Sequence, residues 1–267
     1  FEENNINVIV IKGIALSLLT KNNYTSRISS DLDLFINSND LYDSIEILQN
    51  HGYKISHRFP ISRSTNFKRK IFKQFAYEIN LKNDSNQLLD IDLHWKLSIY
   101  SSNLPKFKDA WNRSIILKKN NLKLRSLNKS DALINICAHA SKDKWMCLGN
   151  LLEIHFFIKK LSNKELEQLY KIREVKNGIF ATYLLTKESY YGKLFLLKKI
   201  DQLYIRKISY FFQKLPHSFK GLDNDNFLIN LISIFHEYYL SNDFGDKFQF
   251  LIRLISKLIP NKLMKNI

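Results

Sequence analysis

The first part of the chain alternates short apolar runs with polar turns, which is typical of strands with interleaved helices. Residues 8–11 form a β-branched run that predicts a strand, and Lys12-Gly13 supplies a turn after it. Apolar positions in residues 14–19 recur at helical spacing. Residues 32–36 then form a second apolar run of strand length. We therefore expect a strand, a glycine turn, a helix and a second strand in that order.

The next predicted helix covers residues 41–48. Ser38 or Asn39 is expected to cap its first turn, because short polar side chains accept hydrogen bonds from the free N–H groups there. His51-Gly52 is expected to end it, since glycine readily adopts the left-handed conformation at a helix C-terminus.

Two further strands are predicted at residues 53–59 and 71–81. Residues 63–70 between them are rich in Arg and Lys and contain no acidic residue. The preferred interpretation is a solvated hairpin, and the alternative is a segment that binds the phosphates of a nucleotide or RNA.

Beyond residue 129 the periodicity becomes helical. Residues 130–142 and 148–161 each have an apolar helical face. Ser162 and Glu165 form the sequence of a capping box, which predicts a further helix ending before Asn177-Gly178. His139 is interpreted as a packed, hydrogen-bonded residue rather than a catalytic one. More helices are expected from residue 179 to the end, so the predicted domains are residues 1–128 and 129–267.

The candidate chemistry begins with Asp31 and Asp33. They are two residues apart on a predicted strand, so both side chains point to the same face. Two carboxylates held close together repel each other unless a cation lies between them. Hard oxygen ligands of this kind suit Mg²⁺ with bound phosphates.

A later predicted strand, residues 88–95, carries three more polar residues. Its alternation places Asp90, Asp92 and His94 on one face and apolar side chains on the other. A buried, unpaired carboxylate costs several kcal/mol, so this face is expected to meet solvent, a metal ion or both. His94 is expected to orient Asp92, to contact a nucleotide or to be a structural partner.

These motifs resemble those of bacterial nucleotidyltransferase-like proteins of the DNA polymerase β superfold. The resemblance rests on Lys-Gly before a helix, an Arg shortly before Ser-Asp-Leu-Asp-Leu, and a later strand with Asp-Leu-His-Trp, and it covers roughly residues 8–158. One motif differs, because Lys12-Gly13-Ile14 stands where the superfold usually has Gly-Ser. The triphosphate is therefore expected to be held differently or not at all.

The resemblance implies an α+β fold, a mixed nucleotidyltransferase-type sheet with flanking helices followed by a helical C-terminal part. It also implies two Mg²⁺ ions and a nucleoside triphosphate as substrate. The implied catalytic and metal-binding residues are Asp31, Asp33 and Asp92, with Asp90 as the alternative third ligand. The residues expected to contact the nucleotide are Lys12, Gly13, Arg27, Ser30 and His94.

Composition restricts the partners and the compartment. The formal net charge of +16 and the high pI, near 9.6, favour anionic partners such as RNA, nucleotides or lipid surfaces, although drift in an AT-rich genome is an equal alternative. Cys137 and Cys147 form no zinc or disulfide pattern, which favours the cytoplasm. No signal peptide or transmembrane run is evident. The chain begins with Phe1, which leaves open that it is a piece of a longer protein.

The predicted function is metal-dependent transfer of a nucleotidyl group from a nucleoside triphosphate to an acceptor. The acceptor, whether protein, RNA or small molecule, and the oligomeric state cannot be read from the sequence. The first alternative is a catalytically inactive protein of the same fold that binds nucleotide or RNA. A second is a peripheral membrane protein, because residues 247–267 form a basic amphipathic stretch. Neutralising Asp33 is expected to relieve repulsion and to preserve or raise stability without metal.

Overall fold

A computed structural model describes most of the first two thirds of the chain. The described residues are 1–22, 29, 31–56, 66–83, 89–98, 104–143 and 147–186. The chain divides into two compact units, residues 1–139 and residues 140 onward. The predicted functional boundary at residue 128 stays a prediction.

The first unit is built on one mixed sheet that has seven strands within the described residues. Their bounds are β1 Val8–Val10, β2 Asp31–Ile36, β3 Tyr53–Ile55, β4 Glu78–Asn83, β5 Asp90–His94, β6 Ile115–Lys119 and β7 Leu122–Ser126. The spatial order is β3-β4-β5-β2-β1-β7-β6. The pairs β2–β5 and β1–β7 are parallel, and the other neighbours are antiparallel. The predicted α+β class with a mixed sheet is confirmed.

Helices occur in both units. Those that begin in the first unit are a short 3₁₀ helix Glu2–Asn4, α1 Ile14–Lys21, α2 Leu41–Asn50, α3 Asn66–Phe75, α4 Phe107–Arg113 and α5 Lys129–Lys142. Those described in the second unit are α6 Leu148–Lys160, α7 Asn163–Leu169 and α8 Arg173–Thr186, and α8 packs against α6.

The two faces of the sheet differ in character because the strand residues alternate. One face is apolar and packs on α2 through a buried cluster that includes Leu34, Ile36, Leu41, Ile45, Ile79, Leu81, Ile91 and Leu93. Each fully buried side chain of this size contributes about 1.5–3 kcal/mol. Asp33 and Phe35 point to the other face, where Phe35 packs edge-on against Phe107 of α4, with ring centroids 5.2 Å apart. The apolar face fixes β2 and β5 and so positions the acidic face.

The strand predicted at residues 71–81 is wrong in its first half. Residues up to Phe75 belong to α3, and the strand begins at Glu78. The apolar residues of this segment recur at helical spacing, and Phe72 lies against the Trp95 ring at 5.4 Å. The hairpin predicted for residues 63–70 is wrong from Asn66 onward for the same reason. The strand predicted at 53–59 is described only to Ser56 and ends at Ile55.

Two predictions about helix ends are also corrected. Asp40, rather than Ser38 or Asn39, is the N-cap of α2, although its side chain makes no capping bond. The helix that opens at Ser162 ends at Leu169, and Asn177-Gly178 lies inside α8. Packing of α8 against α6 outweighs the local tendency of Asn-Gly to end a helix. The predicted ending at Gly52 is confirmed, since Gly52 has a φ of 86° just after the helix.

The capping box of α7 gives a first testable prediction. The Ser162 hydroxyl accepts from the Glu165 N–H at 3.3 Å, and the Glu165 carboxylate accepts from the Ser162 N–H at 2.8 Å. The Ser162 hydroxyl also donates to the Glu165 carboxylate at 2.6 Å, so Ser162→Ala removes two hydrogen bonds and is expected to cost about 1 kcal/mol in urea unfolding. Asp40→Ala is the control, because Asp40 makes no capping bond. Equal losses for the two variants would contradict the role of the box.

None of the helices in the described part of the chain combines the length and apolar character needed to cross a lipid bilayer. The basic amphipathic stretch at residues 247–267 lies outside the described residues.

Candidate active site

The turn after β1 is shaped by Gly13. This residue is the N-cap of α1 and has φ 53° and ψ −119°, a conformation that residues with a Cβ rarely adopt. A Cβ at this position would lie 3.3 Å from the Ser29 Oγ and 3.4 Å from the Ser29 Cβ. Ser29 is held in place in turn, because its hydroxyl donates to the Asp31 carboxylate at 2.8 Å. The glycine therefore lets the turn approach the start of β2.

We expect Gly13→Ala to destabilise the protein by roughly 1–3 kcal/mol, because alanine is strained at this φ and its methyl group crowds Ser29. Gly52→Ala is a matched control: Gly52 also has a positive φ, but a new Cβ there would meet only Asn83 at an ordinary 3.8 Å. Thermal unfolding of both variants measures the difference. A loss at Gly13 no larger than that at Gly52 would show that the close approach to Ser29 is unimportant.

The register between β2 and β5 brings the predicted carboxylates together. Asp33 lies directly opposite Asp92, and Asp31 lies opposite Asp90. Paired residues on neighbouring strands point to the same face of a sheet. All four acidic residues therefore share the face that lies opposite the apolar packing of α2.

Asp33 is the most buried of these carboxylates, at 3% exposure, and it has two cationic or polar partners. The Lys12 ammonium forms a salt bridge with Asp33 Oδ1, and His94 Nε2 lies 3.0 Å from the same oxygen. Burial by itself would raise the pKa of Asp33, but the His94 hydrogen bond and the Lys12 charge outweigh it and lower the pKa to about 2. Asp33 is therefore held as a carboxylate.

The pKa of Asp92 shifts in the opposite direction. Its Oδ1 accepts a hydrogen bond from Asn80 Nδ2 at 2.8 Å, which favours the charged form. Burial is the larger effect and raises its pKa, and the neighbouring charge of Asp33 raises the pKa further. Two carboxylates with pKa shifts of opposite direction thus face each other across β2 and β5. Divergent pairs of this kind are typical of sites that divide acid and base roles.

His94 links Asp33 to a third acidic residue. While its Nε2 contacts Asp33, its Nδ1 lies 3.4 Å from Glu78 Oε2 on β4. That second contact is close enough for a charge interaction but lacks hydrogen-bond geometry. His94 Nε2 contacts Asp33 in the structure, and the roles predicted for His94 toward Asp92 and a nucleotide stay predictions.

The donor set fits a divalent cation. Ligand atoms of Asp33, Asp92 and His94 all lie within 4.8 Å of one another. Carboxylate oxygens suit Mg²⁺ or Mn²⁺, and imidazole is tolerated more readily by Mn²⁺. Asp31 is not part of this three-residue group, and its Oδ1 accepts the Ser29 hydroxyl instead.

Only some of the residues predicted to contact the nucleotide belong to the described part of the chain. Lys12 and Gly13 lie at the site, whereas Arg27 and Ser30 are outside the described residues. The sequence analysis missed Ser29, Glu78 and Asn80. Ser29 lies in the polar segment before β2, and its partner Asp31 is only two positions away. Glu78 and Asn80 alternate along β4, but their partners His94 and Asp92 lie on β5, so no local pattern identifies them.

A strand, a glycine turn, a helix and an Asp-x-Asp strand, with a further carboxylate on the neighbouring parallel strand, define the class of the protein: it has a nucleotidyltransferase fold. The sequence profile described as "Uncharacterised nucleotidyltransferase" matches residues 1–185, so the chain belongs to that family of transferases. The resemblance found in the sequence is thereby confirmed.

The chain is also similar to several other proteins. It shares 17% identity with a lincomycin-bound lincosamide antibiotic adenylyltransferase, over 59% of this chain and 89% of the other, with a TM-score of 0.40. The antibiotic-resistance factor ANT(2″)-Ia matches at 10% identity over 69% and 91% of the two chains, with a TM-score of 0.44. An RNA polymerase α subunit from Euglena myxocylindracea is 28% identical over 144 residues, which are 52% of this chain and 68% of that protein.

Proposed function

We propose that the protein transfers a nucleotidyl group from a nucleoside triphosphate to an acceptor, and that it does so with divalent metal held by Asp33 and Asp92. The observation that carries this proposal is the register of β2 and β5, which sets these two buried or partly buried carboxylates directly opposite each other. Membership of the nucleotidyltransferase family supports the reaction type. Asp31 is proposed as the third carboxylate because it shares the face of Asp33.

Bound Mg²⁺ would supply charge neutralisation of the triphosphate and would lower the pKa of the acceptor hydroxyl. The protein's own residues prepare the site for it. Asp33 stays ionised because Lys12 and His94 stabilise its negative charge. Asn80 holds one oxygen of Asp92 through its amide, which fixes the orientation of that carboxylate.

The triphosphate is proposed to lie at the turn between β1 and α1. The first N–H groups of a helix are free to bind an anion, and the positive end of the helix dipole favours it. Lys12 precedes this turn, and Gly13 keeps it free of a side chain. Arg27 and Ser30 are proposed as further phosphate contacts on the strength of the family resemblance.

In the proposed reaction the acceptor oxygen attacks the α-phosphorus, and the bond from that phosphorus to the bridging oxygen breaks. Pyrophosphate leaves with the electron pair of this bond. Asp92 is proposed to accept the proton of the acceptor hydroxyl. The family resemblance supports this role, because it assigns to Asp92 the metal ion that would activate the acceptor hydroxyl.

The acceptor class is left to experiment. The net charge of +16 favours an anionic acceptor such as RNA, while proteins and small molecules also carry suitable hydroxyl groups. The decisive experiment is incubation with each α-labelled nucleoside triphosphate, Mg²⁺ and cell extract, followed by identification of the labelled product and of pyrophosphate. We expect label to appear in one acceptor class and with one preferred base.

The same assay distinguishes the alternative function. Nucleotide that binds in a Mg²⁺-dependent manner without label transfer or pyrophosphate release would favour a catalytically inactive nucleotide-binding protein. Chelation with excess EDTA is the matched control. Transfer that continues at full rate in EDTA would contradict the role of the metal.

A further inference from the structure

Lys12 occupies an unusual position for a phosphate-binding lysine. The residue is only 8% exposed, and its ammonium lies on Asp33 Oδ1, the oxygen that also contacts His94. Asp33 belongs to the group that could hold a metal ion. The ammonium and a divalent ion thus have the same carboxylate as partner.

The pairing has a clear physical reason. A carboxylate as buried as that of Asp33 is strongly unfavourable without a cationic partner. Lys12 supplies the positive charge from within the chain. A divalent ion bound to Asp33 would lie next to this ammonium, and the repulsion between the two cations would weaken binding of the ion.

We propose that Lys12 is an internal counter-cation that competes with metal for Asp33, and that it leaves Asp33 for the triphosphate when nucleotide and metal bind together. The proposal rests on the proposed function, because it needs a metal and a triphosphate at this site. Metal alone is then a poor ligand. The incoming triphosphate provides a new partner for Lys12 and releases Asp33.

The backbone around Lys12 favours an exchange by the side chain alone. The Ile11 N–H donates to the Asp33 carbonyl at 3.1 Å, and the Lys12 carbonyl accepts from the Ala15 N–H at 3.1 Å. These bonds fix the main chain on both sides of Lys12. The flexible four-carbon stem of lysine can still move its ammonium by several ångströms, from the strand toward the first turn of α1.

The test compares wild type and Lys12→Met for two ligands, Mn²⁺ alone and Mn²⁺ with an α,β-methylene nucleoside triphosphate that cannot be cleaved. Free Mn²⁺ is measured by electron paramagnetic resonance, and the triphosphate by calorimetry. We expect the substitution to change the two affinities in opposite directions. Lys12→Met should bind Mn²⁺ alone about tenfold more tightly and the Mn²⁺–triphosphate about tenfold more weakly, within the usual range of coupling between ligands.

Lys21→Met is the matched control, since Lys21 ends the same helix and is exposed. Unchanged Mn²⁺ affinity in Lys12→Met would show that Lys12 does not compete with metal for Asp33 and would overturn the proposal. Weaker Mn²⁺ binding would overturn it too, because Lys12 would then be holding Asp33 in place for the metal. If wild type and both variants bind neither Mn²⁺ nor triphosphate, the proposed function itself fails.

Lys12→Arg keeps the test valid if Lys12→Met does not fold. A guanidinium pairs with a carboxylate through two parallel hydrogen bonds, so it should hold Asp33 more firmly than lysine does. Mn²⁺ alone should therefore bind more weakly to Lys12→Arg than to wild type. Tighter binding of Mn²⁺ alone by Lys12→Arg would overturn the proposal.

Discussion

Asp33→Asn is expected to slow nucleotidyl transfer about a thousandfold, which corresponds to roughly 4 kcal/mol of transition-state stabilisation. Asparagine has nearly the same size as aspartate but lacks the negative charge that would bind metal. It also removes the acceptor charge that Lys12 and His94 now contact. The loss should therefore appear mainly in the rate of the chemical step.

The measurement is single-turnover transfer from a labelled nucleoside triphosphate at saturating Mg²⁺. Asp43→Asn, a change of the same chemistry at an exposed position of α2, is the control and should leave the rate within a factor of two or so of wild type. Full activity in Asp33→Asn would remove this carboxylate from the reaction.

The second large effect is on the free energy of unfolding. Asp33→Asn should lower it, whereas Asp92→Asn should not. Asp33→Asn leaves the buried Lys12 without its anionic partner, and removal of one member of a buried ion pair typically costs about 3–5 kcal/mol. Asp92→Asn removes a carboxylate that burial and the charge of Asp33 disfavour, and its amide oxygen can still accept from Asn80. We expect its stability to be unchanged or higher.

The dependence on pH follows from the same shifts. The pKa of Asp33 falls from 3.8 to about 2 on folding, so its stabilisation is fully present above about pH 4 and is lost as the pH falls toward 2. A shift of this size corresponds to about 2 kcal/mol. The pKa of Asp92 is raised on folding, so its ionised carboxylate lowers the stability of the folded protein. This loss of stability disappears when acid protonates Asp92.

Urea unfolding of wild type, Asp33→Asn and Asp92→Asn at pH 7, 5 and 3 measures both effects. The stability gap between wild type and Asp33→Asn should narrow between pH 5 and 3. Asp33→Asn as stable as wild type at pH 7 would mean that the Lys12 pair contributes nothing. The repulsion between carboxylates expected from the sequence would then be the dominant effect after all.

The stability expected for a neutralised Asp33 shows what a sequence pattern leaves out. The spacing of Asp31 and Asp33 correctly predicts a shared face, but it contains no information about what lies opposite that face. In the structure Asp33 forms a salt bridge with Lys12, 21 positions earlier, and contacts His94, 61 positions later. Removal of its charge is therefore predicted to destabilise the protein rather than to stabilise it.

The segment that ends α3 shows why the start of a strand is hard to predict from sequence. Residues 71–81 contain both an alternating pattern and a helical one, and only residues 78–81 of this segment belong to a strand. The strand is fixed by its partner, since Glu78 pairs with His94 at the end of β5. Strand ends depend on pairing, which a single segment cannot reveal.

What the sequence determined by itself is local. The period-two alternation of β2 and β5, the glycine turn before α1 and the capping box of α7 are set by residues within a few positions of one another. Tertiary structure alone decided the parallel register that pairs Asp33 with Asp92, the contact of Lys12 with Asp33 and the link from His94 to Glu78. The physical reason is that charge interactions and strand pairing act through space, between residues that only folding brings together.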